Sequence, residues 1–267
     1  MPLAVCATPI GNLEDVTLRV LRELAEADVV LCEDTRHTRK LLERHGVRVR
    51  LLSYHEHNEA ARTAALMPRL QAGERVALVS DAGLPGISDP GARLIRAARD
   101  AGVEVTVLPG PSAVETALVA AGFEPERYQF VGYLPRGETA LAALGNELQA
   151  WQWPVVAFES PQRLAASLRA LARVSPDRQA AVCRELTKRF EEVAVGTLAE
   201  LAERFRDGVK GEVTLVLGPT EARTADESAA VAAMAKLLEL GVPRRRAAEV
   251  VSQLTGAPRN RLYRGSL

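Results

Sequence analysis

Several features are missing from this sequence of 267 residues, and each absence excludes a class of protein. No apolar run approaches the ~18 residues that a membrane-spanning helix needs. The chain has three cysteines, Cys6, Cys32 and Cys183, and no Cys-x-x-Cys pair. An odd number of well-separated cysteines argues against a disulfide framework and favours buried thiols in a reducing compartment. The sequence therefore predicts a cytoplasmic protein with no membrane partner.

Common cofactor motifs are missing as well. The sequence contains neither the G-x-G-x-x-G of a dinucleotide site nor the G-x-x-x-x-G-K-[ST] of a P-loop, and it lacks the H-E-x-x-H zinc pattern. Lysine plus arginine number 34 and aspartate plus glutamate also number 34. Since the charges balance, the whole molecule does not attract nucleic acid, and such binding requires local basic clusters.

The order of apolar and polar segments predicts an α/β protein. Over the first ~115 residues short β-branched runs alternate with helical patterns, which is typical of a mostly parallel sheet. Further on, strand candidates at 179–184 and 190–195 have no helix between them, which indicates a hairpin and a mixed sheet. We therefore predict three parts: an N-terminal α/β domain at 1–117, a C-terminal α/β domain at 118–219, and a linker with a basic helical appendage at 220–267.

The central stretch of the chain is VALVSDAGLPGISDPG, residues 76–91. Its apolar start predicts a buried strand, and the turn that follows is rich in glycine and proline. We expect Asp89 to cap the next helix, with Pro90 at the first helical position. Ligands of open α/β sheets bind beyond the carboxyl ends of strands, so this turn is a candidate ligand loop with Asp81 as its carboxylate.

Other polar turns also follow predicted strands, at residues 8–12, 33–40, 54–58 and 109–112. The carboxyl ends of parallel strands share one edge, so these turns and the central loop predict a single site. The spacing of Ser112 and Glu115 predicts a capping box at the start of a helix. His55 and His57 lack a nearby third ligand for zinc, so we predict a hydrogen-bonding or substrate-facing role for them and no metal site.

Nine strings in this order resemble those of one known family: TPIGNLEDVT (8–17), EDTRHT (33–38), HEHNE (55–59), LVSDAG (78–83), PGISDPG (85–91), LPGPSA (108–113), GYLPR (132–136), ESPQRL (159–164) and RELTK (184–188). The chain resembles the ribosomal small subunit methyltransferase I family of the tetrapyrrole-methylase-like superfamily over residues 3–218. One departure is Leu84, where the family usually has threonine. The change removes a hydroxyl, and we expect the backbone turn to be kept.

The resemblance implies two α/β domains that hold S-adenosylmethionine in a cleft between them, in a homodimer. It implies methylation of the ribose 2′-oxygen of a cytidine in the decoding region of 16S ribosomal RNA, with the small ribosomal subunit as partner. Carried over by motif, the cofactor contacts are Pro9, Ile10, Asp81, Gly83, Leu84, Ile87, Ser112, Ala113, Phe158, Leu186 and Thr187.

Transfer to a ribose hydroxyl requires a base, because a neutral hydroxyl is a poor nucleophile. The candidates are polar residues that follow the second and third predicted strands: Glu33, Asp34, His37 and His55. The sequence does not choose between them, and a helix N-cap that forms a surface ion pair with Arg36 is the alternative for Asp34. Lys188 and Arg184 are candidates to hold a phosphate or to steady an alkoxide.

Basic clusters near these loops predict contacts with RNA. The residues concerned are Arg36, Arg39, Lys40, Arg136, Arg184, Arg244, Arg245 and Arg246. Two helices are predicted near the C-terminal end, at 226–240 and 243–254. Residues 244–267 contain six arginines and a single acidic residue, Glu249. This appendage is interpreted as an RNA-docking element, with a solvated basic helix or a dimer brace as alternatives.

Two rival functions stay open from the sequence. One is C-methylation of a porphyrin precursor, the chemistry of sibling enzymes in the same superfamily. The other is a non-catalytic RNA-binding assembly factor that holds the cofactor as a structural ligand. The strings at 33–38 and 55–59 and the basic C-terminal segment favour RNA methylation over the porphyrin reaction.

Overall fold

A computed structural model describes residues 2–124, 126–220, 227–255, 257 and 259–264. In this part of the chain, two five-stranded sheets are surrounded by helices. The first sheet is parallel, the second is mixed, and a group of helices follows at the C-terminal end. The α/β class expected from the sequence is therefore confirmed.

The first sheet consists of β1 (Leu3–Cys6), β2 (Val29–Cys32), β3 (Leu51–Ser53), β4 (Val76–Leu78) and β5 (Val105–Leu108). Its order is β3-β2-β4-β1-β5, and every pair of neighbours is parallel. The associated helices are α1 (Leu18–Glu26), α2 (Thr35–Arg44), α3 (Glu59–Gln71), α4 (Ala92–Asp100) and α5 (Ala113–Ala120). All residues of β1, β2 and β4 are buried because helices cover both faces of a parallel sheet.

The second sheet consists of β6 (Gln129–Tyr133), β7 (Val155–Glu159), β8 (Gln179–Arg184), β9 (Glu192–Thr197) and β10 (Val213–Leu217). Its order is β6-β7-β10-β8-β9. The β6–β7 pair is parallel and the other pairs are antiparallel, so the predicted β8–β9 hairpin and mixed sheet are confirmed. The helices here are α6 (Glu138–Gln149), α7 (Leu164–Val174) and α8 (Leu198–Arg204).

Helix α5 joins the two halves of the molecule. Its buried residues Val114, Ala117 and Leu118 share one apolar cluster with Val156 of β7 and Val216 of β10. The helix follows the last strand of the first sheet, yet it packs against the second sheet. The domain boundary predicted between 117 and 118 therefore falls inside α5, and the division into domains stays a prediction.

The C-terminal helices are α9 (Glu227–Glu239), α10 (Arg244–Thr255) and α11 (Arg259–Arg264). They have a small core of their own, formed by Ala230, Met234, Ala247, Ala248, Val251, Ala257 and Leu262. Two helices were predicted here, and α11 is additional. Residues 221–226, which include most of the predicted linker, lie outside the described residues. None of the described helices is long and apolar enough to cross a membrane.

Two predicted helix caps are wrong. Helix α4 begins at Ala92 with Gly91 as its N-cap, so Asp89 and Pro90 belong to the preceding loop. Gly91 has a φ of +138°, and a Cβ there would lie 2.9 Å from Leu78 Cδ2. Only glycine fits this close, left-handed position, and it prolongs the loop beyond Asp89.

The capping box predicted at the start of α5 does not form either. Ser112 occupies the N-cap position, but its side chain makes no bond to the backbone of the first turn. Its hydroxyl donates instead to the side chain of Glu115, which also accepts a hydrogen bond from the Tyr128 hydroxyl at 2.5 Å. The Glu115 carboxylate is therefore bound by two side-chain hydroxyls, and sequence spacing does not reveal the one from Tyr128.

Candidate functional site

A cavity of about 680 Å³ lies between the two sheets, at the carboxyl ends of the first-sheet strands. The first half of the chain contributes loops that follow β1, β4 and β5. The second half contributes the ends of β6 and β7 and the segment that leads into β10. The volume is in the range of small-molecule sites, about 300–1,000 Å³. We call this space the central cavity.

Most residues predicted to contact the cofactor line the central cavity: Ile10, Asp81, Gly83, Leu84, Ile87, Ser112, Ala113, Phe158 and Leu186. Pro9 and Thr187 do not line it. Tyr133 and Asp89 line it too, although the sequence patterns gave neither a role at the site. The rings of Tyr133 and Phe158 meet edge to face, with centroids 5.6 Å apart.

The loops after β1 and β4 are joined by backbone hydrogen bonds. The Thr8 N–H donates to the Gly83 carbonyl at 2.8 Å, and the Gly83 N–H donates back to Thr8 at 3.1 Å. The Thr8 hydroxyl adds a bond to the Ser80 carbonyl at 3.0 Å. Nearby, a Cβ on Gly110 would lie 2.8 Å from the Ala7 Cβ, so the loop after β5 is also tightly packed. Because of these contacts, this part of the cavity wall is formed by backbone atoms and not by long side chains.

A turn after β8 closes the other side of the cavity. The Asn12 N–H donates to the Thr187 hydroxyl at 2.9 Å, and a Cβ on Gly11 would lie 2.8 Å from the Leu186 carbonyl oxygen. Thr187 has a φ of +65°, which is unfavourable for a β-branched residue and costs of the order of 1–3 kcal/mol. Thr187 does not line the cavity, but its hydroxyl connects the loop after β1 with the turn after β8.

The charge of the central cavity has one sign. Among the residues that line it, all of them in the described part of the chain, there is no lysine, arginine or histidine. The carboxyl-bearing residues are Asp81, Asp89, Glu115, Glu159 and Glu212. Such a lining suits a ligand with a positive group, such as a sulfonium, and disfavours a phosphate-bearing nucleotide. The residues present therefore fit S-adenosylmethionine.

Asp89 is a cavity carboxyl to which the sequence analysis gave only the role of a helix cap. Burial raises the pKa of its carboxyl to about 6, and the neighbouring carboxylates Glu33 and Asp81 add to the shift. A carboxyl that titrates near neutrality is suited to general base catalysis at neutral pH. Its position in the same loop as Asp81 was the available signal, but the Asp-Pro pattern favoured a helix cap.

Asp34, predicted as a catalytic base, is occupied by other contacts. Its carboxylate accepts from the Arg36 N–H at 2.8 Å, and both of its oxygens accept from the Arg36 guanidinium. These bonds hold the pKa of Asp34 well below its usual range, so the carboxylate is a weak base. The Asp34 N–H donates to Asp81 at 3.2 Å, which connects the start of α2 to the cavity loop.

The other candidate bases also lie outside the cavity lining. His37 is exposed on α2, and His55 is partly buried beside Asn58, whose amide nitrogen is 3.1 Å from its Nε2. Glu33 is exposed as a residue, but its carboxyl is partly buried. That burial and the negative charge of Asp81 raise the pKa of the Glu33 carboxyl. The structure therefore places Asp89 in the cavity and these candidates at its side.

Lys188 lies close to the cavity rim. Its ammonium group donates to Glu185 and to the cavity residue Glu212, both at 2.9 Å. Burial opposes the charge, but the bonds to Glu212 and Glu185 raise the pKa of Lys188, so it is a cation at neutral pH. A lysine in this state acts as an electrostatic group and not as a base.

The basic residues predicted to contact RNA are spread over several elements. Arg39 and Lys40 are exposed on α2, Arg136 is exposed in the loop after β6, and Arg245 and Arg246 are exposed on α10. The remaining three are Arg36, paired with Asp34; Arg184, paired with Glu192 at 3.0 Å; and Arg244, half-buried on α10. Their roles stay predictions.

Comparison with known proteins assigns the family. Residues 2–202 match the family described as "Tetrapyrrole (Corrin/Porphyrin) Methylases". "Ribosomal RNA small subunit methyltransferase I" of Mesorhizobium japonicum is 45% identical over 98% of this chain and 90% of its own length. The protein of the same name from Escherichia coli O157:H7 is 37% identical over 99% and 94%. The chain belongs to the ribosomal RNA small subunit methyltransferase I family.

Solved structures of proteins with lower sequence identity share the fold. Uroporphyrin-III-C-methyltransferase from Thermus thermophilus has a TM-score of 0.58 at 22% identity, over 81% of this chain and 93% of that one. Diphthine synthase has a TM-score of 0.63 at 17% identity, over 81% and 89%. At these identities the likeness shows the fold alone. The cofactor expected from the resemblance, S-adenosylmethionine, is supported by membership in this methyltransferase family and by the anionic cavity.

The close contact at Gly11 leads to a first prediction. In Gly11→Ala the new Cβ would lie 2.6–2.8 Å from Lys188 Cγ, Thr187 Oγ1 and the Leu186 carbonyl oxygen, so the loop after β1 and the turn after β8 must shift apart. We expect the affinity for S-adenosylhomocysteine, measured by calorimetry, to fall at least about tenfold, since misplaced wall residues no longer touch the ligand.

Gly145→Ala is the matched control for this change. A Cβ at Gly145 meets Val174 at 3.4 Å, which the side chain can accommodate, and the site is remote from the cavity lining. Unchanged affinity in Gly11→Ala would show that the turn after β8 does not form part of the binding wall.

Proposed function

We propose that this protein transfers a methyl group from S-adenosylmethionine to the 2′-oxygen of a cytidine ribose in the decoding region of 16S ribosomal RNA. The observation that carries the proposal is the central cavity, whose lining bears carboxylates and no basic side chain among the described residues. Relatives 34–45% identical over most of this chain bear the name "Ribosomal RNA small subunit methyltransferase I", which supports the RNA substrate.

The residues that would hold the cofactor come from both halves of the chain. Asp81 and the backbone around Gly83 and Gly110 form one wall, and Phe158 and Leu186 form the other. When bound, the cofactor supplies an electrophilic methyl group on a positively charged sulfur. The Asp81 carboxylate balances that charge, and the apolar walls exclude water from it.

Asp89 is proposed as the base. It lies in the cavity, half-buried, between carboxylates that favour uptake of a proton. In methyl transfer the ribose oxygen would bond to the methyl carbon as the carbon–sulfur bond breaks and S-adenosylhomocysteine leaves. The Asp89 carboxylate would accept the proton that the hydroxyl releases. The displacement is in line, so the loops contribute chiefly by positioning oxygen and carbon. Glu33, which lies outside the cavity lining, contributes one of the charges that raise the pKa of Asp89.

Incubation of the purified protein with tritiated S-adenosylmethionine and small ribosomal subunits that lack the modification tests the proposal. We expect one ribose in 16S RNA to become methylated, and mapping of 2′-O-methyl sites identifies it. Methylation of a porphyrin precursor instead of RNA would support the first rival function. Cofactor binding without any product would support an assembly factor.

Two further predictions concern the setting of the reaction. The family resemblance predicts a homodimer, and the sequence predicts a cytoplasmic location. Light scattering of the purified protein tests the first, and fractionation of cells tests the second. A monomer at assay concentration that methylates subunits at full rate would contradict a functional dimer.

A further inference from the structure

A second cavity, of about 280 Å³, lies in the second half of the molecule, between α7 and the start of α6. We call it the arginine cavity. Three arginines line it, Arg163, Arg169 and Arg173, together with the single acidic residue Glu138. Its charge is therefore opposite to that of the central cavity.

The spacing of residues on α7 builds this cavity. Arg169 and Arg173 are one helical turn apart, and the small residues Ala166, Ser167 and Ala170 lie between Arg163 and Arg173 on the same wall. Small side chains leave space at the floor, while the long arginine side chains surround it. The opposite wall comes from the chain that leads from β6 into α6, including Gly137.

The three guanidinium groups differ in the ion pairs and hydrogen bonds that they already make within the protein. Arg163 is held by the buried Glu159 and by the Leu134 carbonyl at 3.3 Å. Arg173 pairs with Glu138, but both side chains are about two-thirds exposed, and such pairs contribute only about 0–1 kcal/mol. Arg169 is exposed and has no ion pair within the described residues. Arg169 and Arg173 are therefore able to bind an external anion.

The two cavities are neighbours. Glu159 lines the central cavity and at the same time holds Arg163, which lines the arginine cavity. Likewise Tyr133 lines the first and Pro135 lines the second, two residues further along the chain. Exposed Arg136 follows directly. Residues 133–136 therefore connect the linings of the two cavities along the chain.

We propose that the arginine cavity binds a backbone phosphodiester of the RNA strand whose target ribose enters the central cavity. This inference rests on the proposed function and adds a binding subsite to it. Guanidinium groups bind phosphate oxygens in a forked, charge-assisted geometry. The opposite charges of the cavities keep the cationic cofactor in one and the anionic strand in the other. Arg136, predicted from the sequence to bind RNA, lies beside the arginine cavity and extends its basic rim.

The double variant Arg169→Ala/Arg173→Ala tests the proposal without touching the residues assigned to the cofactor or to proton transfer. We expect its Kd for a fluorescently labelled decoding-region RNA oligonucleotide to rise roughly tenfold at moderate salt. The slope of log Kd against log salt should fall by about 0.7 for each phosphate that the variant no longer neutralises. The KM for small subunits should rise likewise, while S-adenosylhomocysteine affinity and kcat at saturation stay as in the wild type.

The matched control is Arg96→Ala/Arg99→Ala, which removes the same charge from exposed positions on α4, outside both cavities. An equal loss of RNA affinity in the control would show that the effect depends on net charge alone, and it would overturn the proposed subsite. An unchanged Kd and salt slope in Arg169→Ala/Arg173→Ala would also overturn it. The RNA-binding readout needs no turnover, so failure of the wild type to methylate subunits counts against the proposed function alone.

Discussion

Asp89→Asn is expected to lower kcat for methyl transfer by about 10²–10⁴-fold, the usual contribution of a positioned general base. Asparagine keeps the size of the side chain but cannot accept the proton. Binding of S-adenosylhomocysteine should persist, because the change removes one of several carboxyl groups in the cavity lining. Rapid-quench assays with labelled cofactor and small subunits measure the rate, and calorimetry measures the binding.

The pH dependence of the wild type follows from the same group. Burial and the nearby Glu33 and Asp81 raise the pKa of Asp89 to about 6. The base must be ionised, so kcat should rise with pH through about 6 and stay level above it. Asp89→Asn should lose this inflection. In Glu33→Gln, removal of a neighbouring charge should move the inflection to lower pH and leave the plateau rate largely intact.

Stability should change in the opposite direction to activity. Because the folded protein raises the pKa of Asp89, ionisation at pH 7 destabilises the folded state relative to the unfolded chain, and this destabilisation disappears below the unfolded pKa. Asp89→Asn should therefore unfold at a higher temperature than the wild type at pH 7.

Two outcomes would contradict the assignment of Asp89 as the base. One is turnover at the wild-type rate in Asp89→Asn, and the other is a collapse of activity in Glu33→Gln.

Glu159→Leu is expected to lower the free energy of unfolding by about 3 kcal/mol, the lower end of the range for breaking a buried ion pair. The Glu159 side chain is fully buried. It accepts from the Ser160 N–H at 2.6 Å, from the Ser167 hydroxyl and from Arg163. Leucine leaves these donors without an acceptor, although Arg163 is partly exposed and can regain water. Urea denaturation measures the change.

Two variants control for this result. Glu203→Leu removes an exposed partner of Arg206 and should change stability by less than about 1 kcal/mol. Glu159→Leu/Arg163→Met removes both charges of the buried pair, and it should recover part of the stability because no charge is then left unpaired. A Glu159→Leu protein as stable as Glu203→Leu would mean that the buried network contributes little.

Local patterns in the sequence predicted the architecture because sheet type depends on short segments. Alternation of β-branched runs with helical patterns is sufficient to predict parallel strands. The absence of a helix between 179–184 and 190–195 is sufficient to predict the hairpin. Strand ends of a parallel sheet share one edge, so the polar turns after β1, β4 and β5 could be assigned to one site before their contacts were known.

The environment of individual side chains could not be predicted in this way. The position of Asp89 depends on Gly91, whose left-handed backbone delays the start of α4, and its pKa depends on Glu33 and Asp81 from separate loops. The sequence left Asp34 open between a base and a helix cap paired with Arg36, and only its contacts in the structure decide for the cap and the ion pair.

By itself, the sequence of this protein determined the α/β class, the parallel and mixed sheets, the family, and the loops after β1, β4 and β5 that line the central cavity. These properties follow from periodicity, turn chemistry and motif order, which are local along the chain. Only the tertiary structure decided which carboxyl groups line the central cavity, how α5 joins the two halves, and that three arginines line a second cavity. Charge, burial and packing depend on residues distant in sequence, and folding brings those residues together.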